Sequence, residues 1–397
     1  MVDPVQLILR IAYYYSRVLG VLNFEINVET GLARITSRAS IYAILANGLV
    51  VILLISISNG LRVMRLFTQA GHMHEYLYLV VHGVRFTSLV ATLFNRWWQR
   101  RRLIQLVNGL RRLAIRKPNV MRFWRRGIIY KTITYLLPEI VQVVLTLMYL
   151  WPYLTSGLAL DSVGLYLLAI LVNLTVTHYF FAVLNVHSHY ALLNQEIESV
   201  FAEICSLEHV HRRATVMSKC CSLADQLEGI ALTQSELQSL SETMLQTFEI
   251  QGLCIFIHTY TTIVTAIYYM FSTIKQNIDK EWNFFFIFVY IFQVFFYFAD
   301  YLVTISNVLF VLDNHSKMVE LMEHFSTISP GLDERLETVI ESFQLQLKRN
   351  PLKISILGLY NVERSNVMSI ISSLVINSLV LIQYDLQYKI VSKELSL

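Results

Sequence analysis

The ionisable side chains that stand out in this 397-residue chain are the few placed where water is scarce. His82, Arg85, Glu139 and Asp300 all fall inside long apolar runs. A charge in such a run costs about 2.5–3.5 kcal/mol on membrane-insertion scales, enough to mark a partner or a function. His82 and Arg85 are three residues apart and share a helix face, and Arg85 can pair with Glu139. Both are therefore candidate ligand-binding groups. The plainer reading is that they lie close enough to an interface to reach water, with Asp300 already near it. No nucleophile elbow, phosphate loop or metal signature accompanies them. His187, His189, His209 and His211 form two H-x-H pairs near Cys205 and Cys220, but at a spacing that matches no established zinc pattern. An enzyme, a bound metal and a cofactor are not expected, and the four cysteines are expected as free thiols.

A second kind of chemistry is available in the last apolar run. Ser365 to Ile382 carries no charged side chain and is long enough to cross a bilayer. Ser373, Asn377, Val380, Gln383, Tyr384 and Gln387 recur along it at three- and four-residue spacing, which puts them on one side of a helix. Lipid offers such a stripe no hydrogen-bond partner, so it must face protein or water. Either it lines a pore or it packs against other helices.

The elements that position these groups follow from composition. The chain is 55% hydrophobic and only 15% charged, with a mean hydropathy of +0.51, which predicts an all-α polytopic membrane protein in a single domain. Apolar runs recur at about 40–57, 76–93, 127–151, 162–186, 250–272, 283–303 and 365–382. Seven spans place the two termini on opposite sides. With the N-terminus in the cytoplasm, the inner segments carry 25 Lys and Arg and the outer ones 6, so positive charge predicts that orientation, with the C-terminus extracellular. Twelve of the 25 lie in residues 95–131, a stretch without one acidic residue. Its basic and aromatic alternation suits anionic inner-leaflet lipid better than nucleic acid, which is not an expected partner. The first residues predict an amphipathic helix lying on the membrane.

Two stretches have a different character. Residues 187–248 place apolar side chains at Val216, Cys220, Leu223, Leu227 and Ile230 in a heptad-like seam, and residues 313–360 follow the sixth span with a similar pattern. They predict long helices continuing the spans into the cytoplasm. Their seams serve either an intramolecular bundle or contacts between subunits.

The last run also carries a family resemblance. Ile376-Asn377, five residues, then Gln383-Tyr384 resembles the Thr-Tyr, five apolar residues and Gln-Phe that end insect gustatory receptors. Gly358-Leu359-Tyr360-Asn361-Val362-Glu363-Arg364 resembles that family's glycine-aromatic turn. Span count and orientation extend the likeness over nearly the whole chain. The resemblance implies a receptor in the plasma membrane of sensory neurons that is itself a ligand-gated, non-selective cation channel. It would be a homo- or hetero-tetramer with related receptors, gated by a small tastant of the divergent bitter type and passing monovalent and divalent cations. It further implies that the cytoplasmic helices anchor the subunits, and that Val380, Gln383 and Tyr384, with Asn377 on the same stripe, line the pore and gate. Ligand is expected to enter from the outer side, where Tyr149, Tyr166, Tyr268, Tyr269 and Tyr290 gather. Some of these aromatics belong to the interfacial belt and others to a pocket. The runner-up function is a secondary transporter using His82, Arg85, Glu139 and Asp300, which lacks any visible inverted repeat. A G-protein-coupled receptor is third and needs the reverse topology.

Overall fold

The computed structural model describes residues 4–27, 30–59, 72–150, 156–207, 213–277, 283–328, 333–356 and 360–394. Among them the chain is all-α, with ten α-helices, one 3-10 turn at Pro118–Val120 and two hairpins of two-residue strands, Glu25–Ile26 with Ala33–Arg34 and Ser355–Ile356 with Tyr360–Asn361. The helices are α1 (Pro4–Val18), α2 (Ser37–Asn59), α3 (His72–Trp98), α4 (Arg100–Arg116), α5 (Met121–Leu150), α6 (Ser156–Ser206), α7 (Arg213–Asn277), α8 (Asn283–Ile328), α9 (Glu334–Arg349) and α10 (Arg364–Glu394). Most of the turn Gly358–Arg364 that carries part of the family likeness is seen, but Gly358 and Leu359 lie outside the described residues.

Apolar side chains left facing outward identify the solvent. Ile41, Ile44, Leu45, Leu49 and Ile52 stand exposed along α2, as do Ile133, Leu136, Ile140 and Val144 along α5. Such continuous apolar faces are unstable in water and natural in hydrocarbon. Among the described residues four stretches are long and apolar enough to cross a membrane: 166–206, 214–272, 291–325 and 364–387. Helices α2, α3 and α5 take in the other three predicted runs, and α3 and α5 are the ones that carry His82, Arg85, Lys131 and Glu139.

Helices α6, α7 and α8 run on far beyond bilayer thickness, at 51, 65 and 46 residues. Their extensions bundle with α4 and α9 around one large core. Leu193, Ile197 and Val200 of α6 meet Leu223, Leu227 and Ile230 of α7 there, and Met318 and Met322 of α8 meet Leu336 and Phe343 of α9. Cys220, Leu223, Leu227 and Ile230 are at most 4% exposed within the single chain. The seam is therefore intramolecular, which decides between the two readings of its pattern. Gly109 of α4 lets that helix sit close against α7, because a Cβ there would meet Leu240 Cδ2 at 2.4 Å.

The basic stretch 95–131 folds as the end of α3, all of α4 and the start of α5, and part of its charge is spent inside the protein. Arg96 donates to Val21 O at 3.1 Å and meets His178 Nδ1 at 2.9 Å. The other nitrogen of that imidazole meets Ser16 Oγ of α1 at 2.9 Å, so one relay ties α1, α3 and α6 together. Arg100 reaches Asn23 O and Ser40 Oγ, while Lys117 pairs with Glu196 at 2.7 Å. Those three cations are therefore bound within the protein and not free to meet lipid. The turn after α1 depends on Gly20, whose φ of 71° suits glycine and where a Cβ would stand 2.6 Å from Ala46 Cβ.

Candidate functional site

A cavity of about 110 Å³ opens between α3, α5, α6, α7, α8 and α10, room for several waters or part of a small molecule. Most of its wall is apolar and aromatic. Tyr179, Phe256, Tyr297 and Tyr301 bring rings to it, and Ile263 and Ile305 bring aliphatic surface. Into this wall project Arg85, Glu139, Asn173, His258 and Asp300. Periodicity explains why the carboxylate arrives there: Lys131, Tyr135 and Glu139 follow one another at four-residue spacing, so a single face of α5 delivers all three. A smaller adjoining space of about 20 Å³ is bordered by the same three residues and Asp300.

The charges are not equally free. Lys131 Nζ, whose side chain is 1% exposed, contacts the Asp300 carboxylate oxygens at 2.8 and 2.7 Å and Thr304 Oγ1 at 3.0 Å. Thr134 Oγ1 donates to the same carboxylate at 2.9 Å. Asp300 is thereby neutralised within a low-dielectric bundle, where a lone carboxylate would be costly. Asn173 donates to the Glu139 carboxylate. Arg85 Nε is buried without a hydrogen-bond partner, and no ion pair joins Arg85 to Glu139 among the described residues.

The expected ligand residues separate on this geometry. Arg85 lines the cavity, and Glu139 and Asp300, singled out with it, do so too. His82 is half-buried one turn away on α3. Tyr166 and Tyr269 are half-buried, and Tyr268 is wholly buried with its ring 5.8 Å from that of Tyr269. Tyr268 makes its polar contact with Asp385 of α10, so it joins two helices. The side chains of Tyr149 and Tyr290 lie outside the described residues. His258 and Lys131 escaped notice in the sequence. Lys131 sits four residues inside the apolar run that starts at Gly127, which was the signal available.

The stripe on α10 is open. Val380 and Tyr384 are 54% and 58% exposed, and Gln383 and Asn377 are exposed beside them. The opposite side, with Val367, Leu374, Ser378 and Asp385, is buried. Helix α10 rests on α7 through an apolar cluster of Ile263, Val264 and Leu374. A polar knot reinforces it: Asn377 Nδ2 donates to Tyr260 Oη and, at 3.1 Å, to Ser373 Oγ, and those two oxygens are 2.7 Å apart. Asn377 therefore has its amide turned toward α7 while Val380, Gln383 and Tyr384 point away. Val367 and Ile370 at the start of α10 belong to the cavity wall, so one helix borders both features.

Long apolar helices that enclose an aromatic, charged cavity and leave one polar-striped helix open define a multi-pass membrane protein. The family model for 7tm Chemosensory receptor matches residues 9–388, and the chain belongs to that family, which holds the insect gustatory and olfactory receptors. It is 36% identical over 389 residues to gustatory receptor 59d of Drosophila melanogaster, an alignment covering 98% of this chain and 100% of the relative. Gustatory receptor 36a of the same fly is 32% identical over 400 residues, with the same coverage. In fold, the chain is similar to the olfactory receptor OR5 of Machilis hrabei solved with eugenol, at a TM-score of 0.62 and 13% identity, covering 96% of this chain and 100% of that one. The resemblance first carried by Gln383 and its neighbours is thus confirmed along the chain. The protein is a multi-pass receptor of the cell membrane, in a class that is not enzymatic.

Proposed function

We propose that the chain is a gustatory receptor that acts as a ligand-gated, non-selective cation channel, opened by small tastants of the bitter type. The observation that carries this reading is the double placement of α10, which borders the cavity through Val367 and Ile370 and keeps Val380, Gln383 and Tyr384 exposed on its other side. Four subunits, alike or mixed with related receptors, would bring four such stripes around one axis, with the N-terminus in the cytoplasm. An apolar ring at Val380 closes a pore by dewetting, and four Gln383 amides offer dipoles without net charge, which suits weak discrimination among cations. Ligand in the cavity biases the closed–open equilibrium only if it binds the two states with different affinity. A wall shared with α10 supplies a physical route to that difference. Eugenol in the complex with the Machilis receptor is a small ring-bearing molecule, and an aromatic wall suits ligands of that kind. Tyr166, Tyr269, Tyr149, Tyr290 and His82 remain proposed contributors to ligand binding.

The test is whole-cell recording from cells expressing the chain, challenged with bitter compounds and sugars. Channel function gives a ligand-evoked current reversing near zero in mixed monovalent salts. A convergence of charges on one cavity would also serve a secondary transporter, and that reading predicts saturable uptake of a labelled substrate with no such conductance.

A further inference from the structure

The charge around the cavity selects the chemistry of its ligand, an inference that rests on the reading of this cavity as the tastant site. The Asp300 carboxylate is already matched by Lys131 and Thr134. What remains among the described residues of the wall is one cation, Arg85, with a buried and unpartnered Nε, and one carboxylate, Glu139, held by a side-chain donor from Asn173. They border the same space, close enough for their charges to act on each other, yet no ion pair within 4.0 Å joins them among the described residues. A guanidinium needs acceptors and a carboxylate needs donors, and burial makes unmet needs expensive. Several waters can meet them while the cavity is empty. A ligand that displaces those waters must meet both.

We propose that the cavity binds an overall neutral, doubly charged molecule of amino-acid size, its carboxylate on Arg85 and its ammonium on Glu139, with an apolar side chain against the rings of Tyr179 and Tyr297. The two open wall charges sum to zero, so a zwitterion leaves no charge uncompensated. A simple carboxylic acid would satisfy Arg85 and set its own charge against Glu139. A simple amine would do the reverse. Rings and aliphatic side chains make up most of the remaining wall, which selects an aromatic or branched side chain over a polar one.

Three probes with one ring separate these cases: L-phenylalanine has both charges, phenylacetate only the carboxylate and phenethylamine only the ammonium. Equilibrium binding is measured on the full chain purified in detergent, with tritiated L-phenylalanine competed by each. L-phenylalanine is expected to outrank either single-charge probe by about tenfold or more. Arg85→Gln removes the cation, so phenethylamine should then bind better than L-phenylalanine. Glu139→Gln should reverse the order toward phenylacetate. These exchanges of preference are gains of binding, which a misfolded variant does not produce; if neither variant folds, the wild-type ranking alone decides. No binding of L-phenylalanine up to about 10 mM, equal affinity for all three probes, or an unchanged ranking in a folded Arg85→Gln chain overturns the proposal. None of these readouts needs ion conduction. The channel reading can therefore fail in electrical recordings while this ligand class stands, and the reverse.

Discussion

Val380 and Gln383 are the residues on which the channel reading makes its sharpest statements. Replacing Val380 by Ser wets an apolar constriction, and the expected outcome is unliganded current in cells where the parent chain is silent. Replacing Gln383 by Glu adds a ring of negative charge, and the relative permeability to calcium, read from reversal potentials, should rise several-fold. The Lys131–Asp300 pair belongs to the same scale. Lys131→Met leaves a carboxylate in the bundle with the Thr134 hydroxyl in place of its cation, a loss on the order of 3–5 kcal/mol, read as a fall in melting temperature in detergent. Adding Asp300→Asn should restore most of it. If Lys131→Met melts with the parent chain, the pair does not hold α5 to α8. Arg85, Glu139 and Asp300 were legible in the sequence because a charge in an apolar run stands out. Their matching was not. Lys131 looked like the last cation of a basic loop, and only the packing of α8 against α5 reveals it as the partner of Asp300, 169 positions away. Tyr268 misleads in the opposite sense. An aromatic in an outer half-span reads as belt or pocket, yet this one is buried against Asp385 of α10. Tyr268→Phe should therefore alter the balance of open and closed states more than ligand affinity.

Helices were the most legible scale, since each long apolar run obliges the backbone to satisfy itself within the segment. The seam Cys220, Leu223, Leu227 and Ile230 shows where that legibility stops. Heptad spacing announces a buried stripe without saying whether the partner belongs to the same chain. Met318 and Met322 of α8 and Leu336 and Phe343 of α9 fill the same core, so the partner is intramolecular. Leu223→Asp with Leu227→Asp is accordingly expected to unfold the extension bundle, seen as aggregation on size-exclusion chromatography and loss of surface expression. A well-folded monomer from that variant would instead mean that the seam serves assembly. On α1 the pattern is reversed, with Leu7, Ile11, Tyr14 and Val18 exposed while Ser16 is buried on the His178–Arg96 relay. An apolar face that the protein leaves open on an amphipathic helix suits the membrane surface.

For the whole molecule, two consequences extend beyond any one helix. Burial holds His189 and His315, both in the extension bundle, below the usual histidine range. The folded state therefore binds fewer protons than the unfolded chain near pH 6. Their contribution to stability is complete above about 6.5 and is lost as pH falls from there toward the lowered folded values. The melting temperature in detergent should drop between pH 7 and 5, and His315→Phe, which keeps a ring beside Tyr190, should shallow that drop. An unchanged acid limb would show that His315 binds its proton equally in the folded and unfolded states.

The other consequence is the link between cavity and pore, and the central claim is that α10 lines an ion path. It is tested most directly in cells expressing the chain with Val380→Ser to open the constriction and Gln383→Cys as a reporter, recorded before and after a membrane-impermeant thiol reagent. Four endogenous cysteines call for the same recording on Val380→Ser alone as the reference. The account predicts a standing cation current that falls on treatment only when Cys replaces Gln383. Normal surface expression with no standing current, or a current that the reagent leaves untouched, would contradict it.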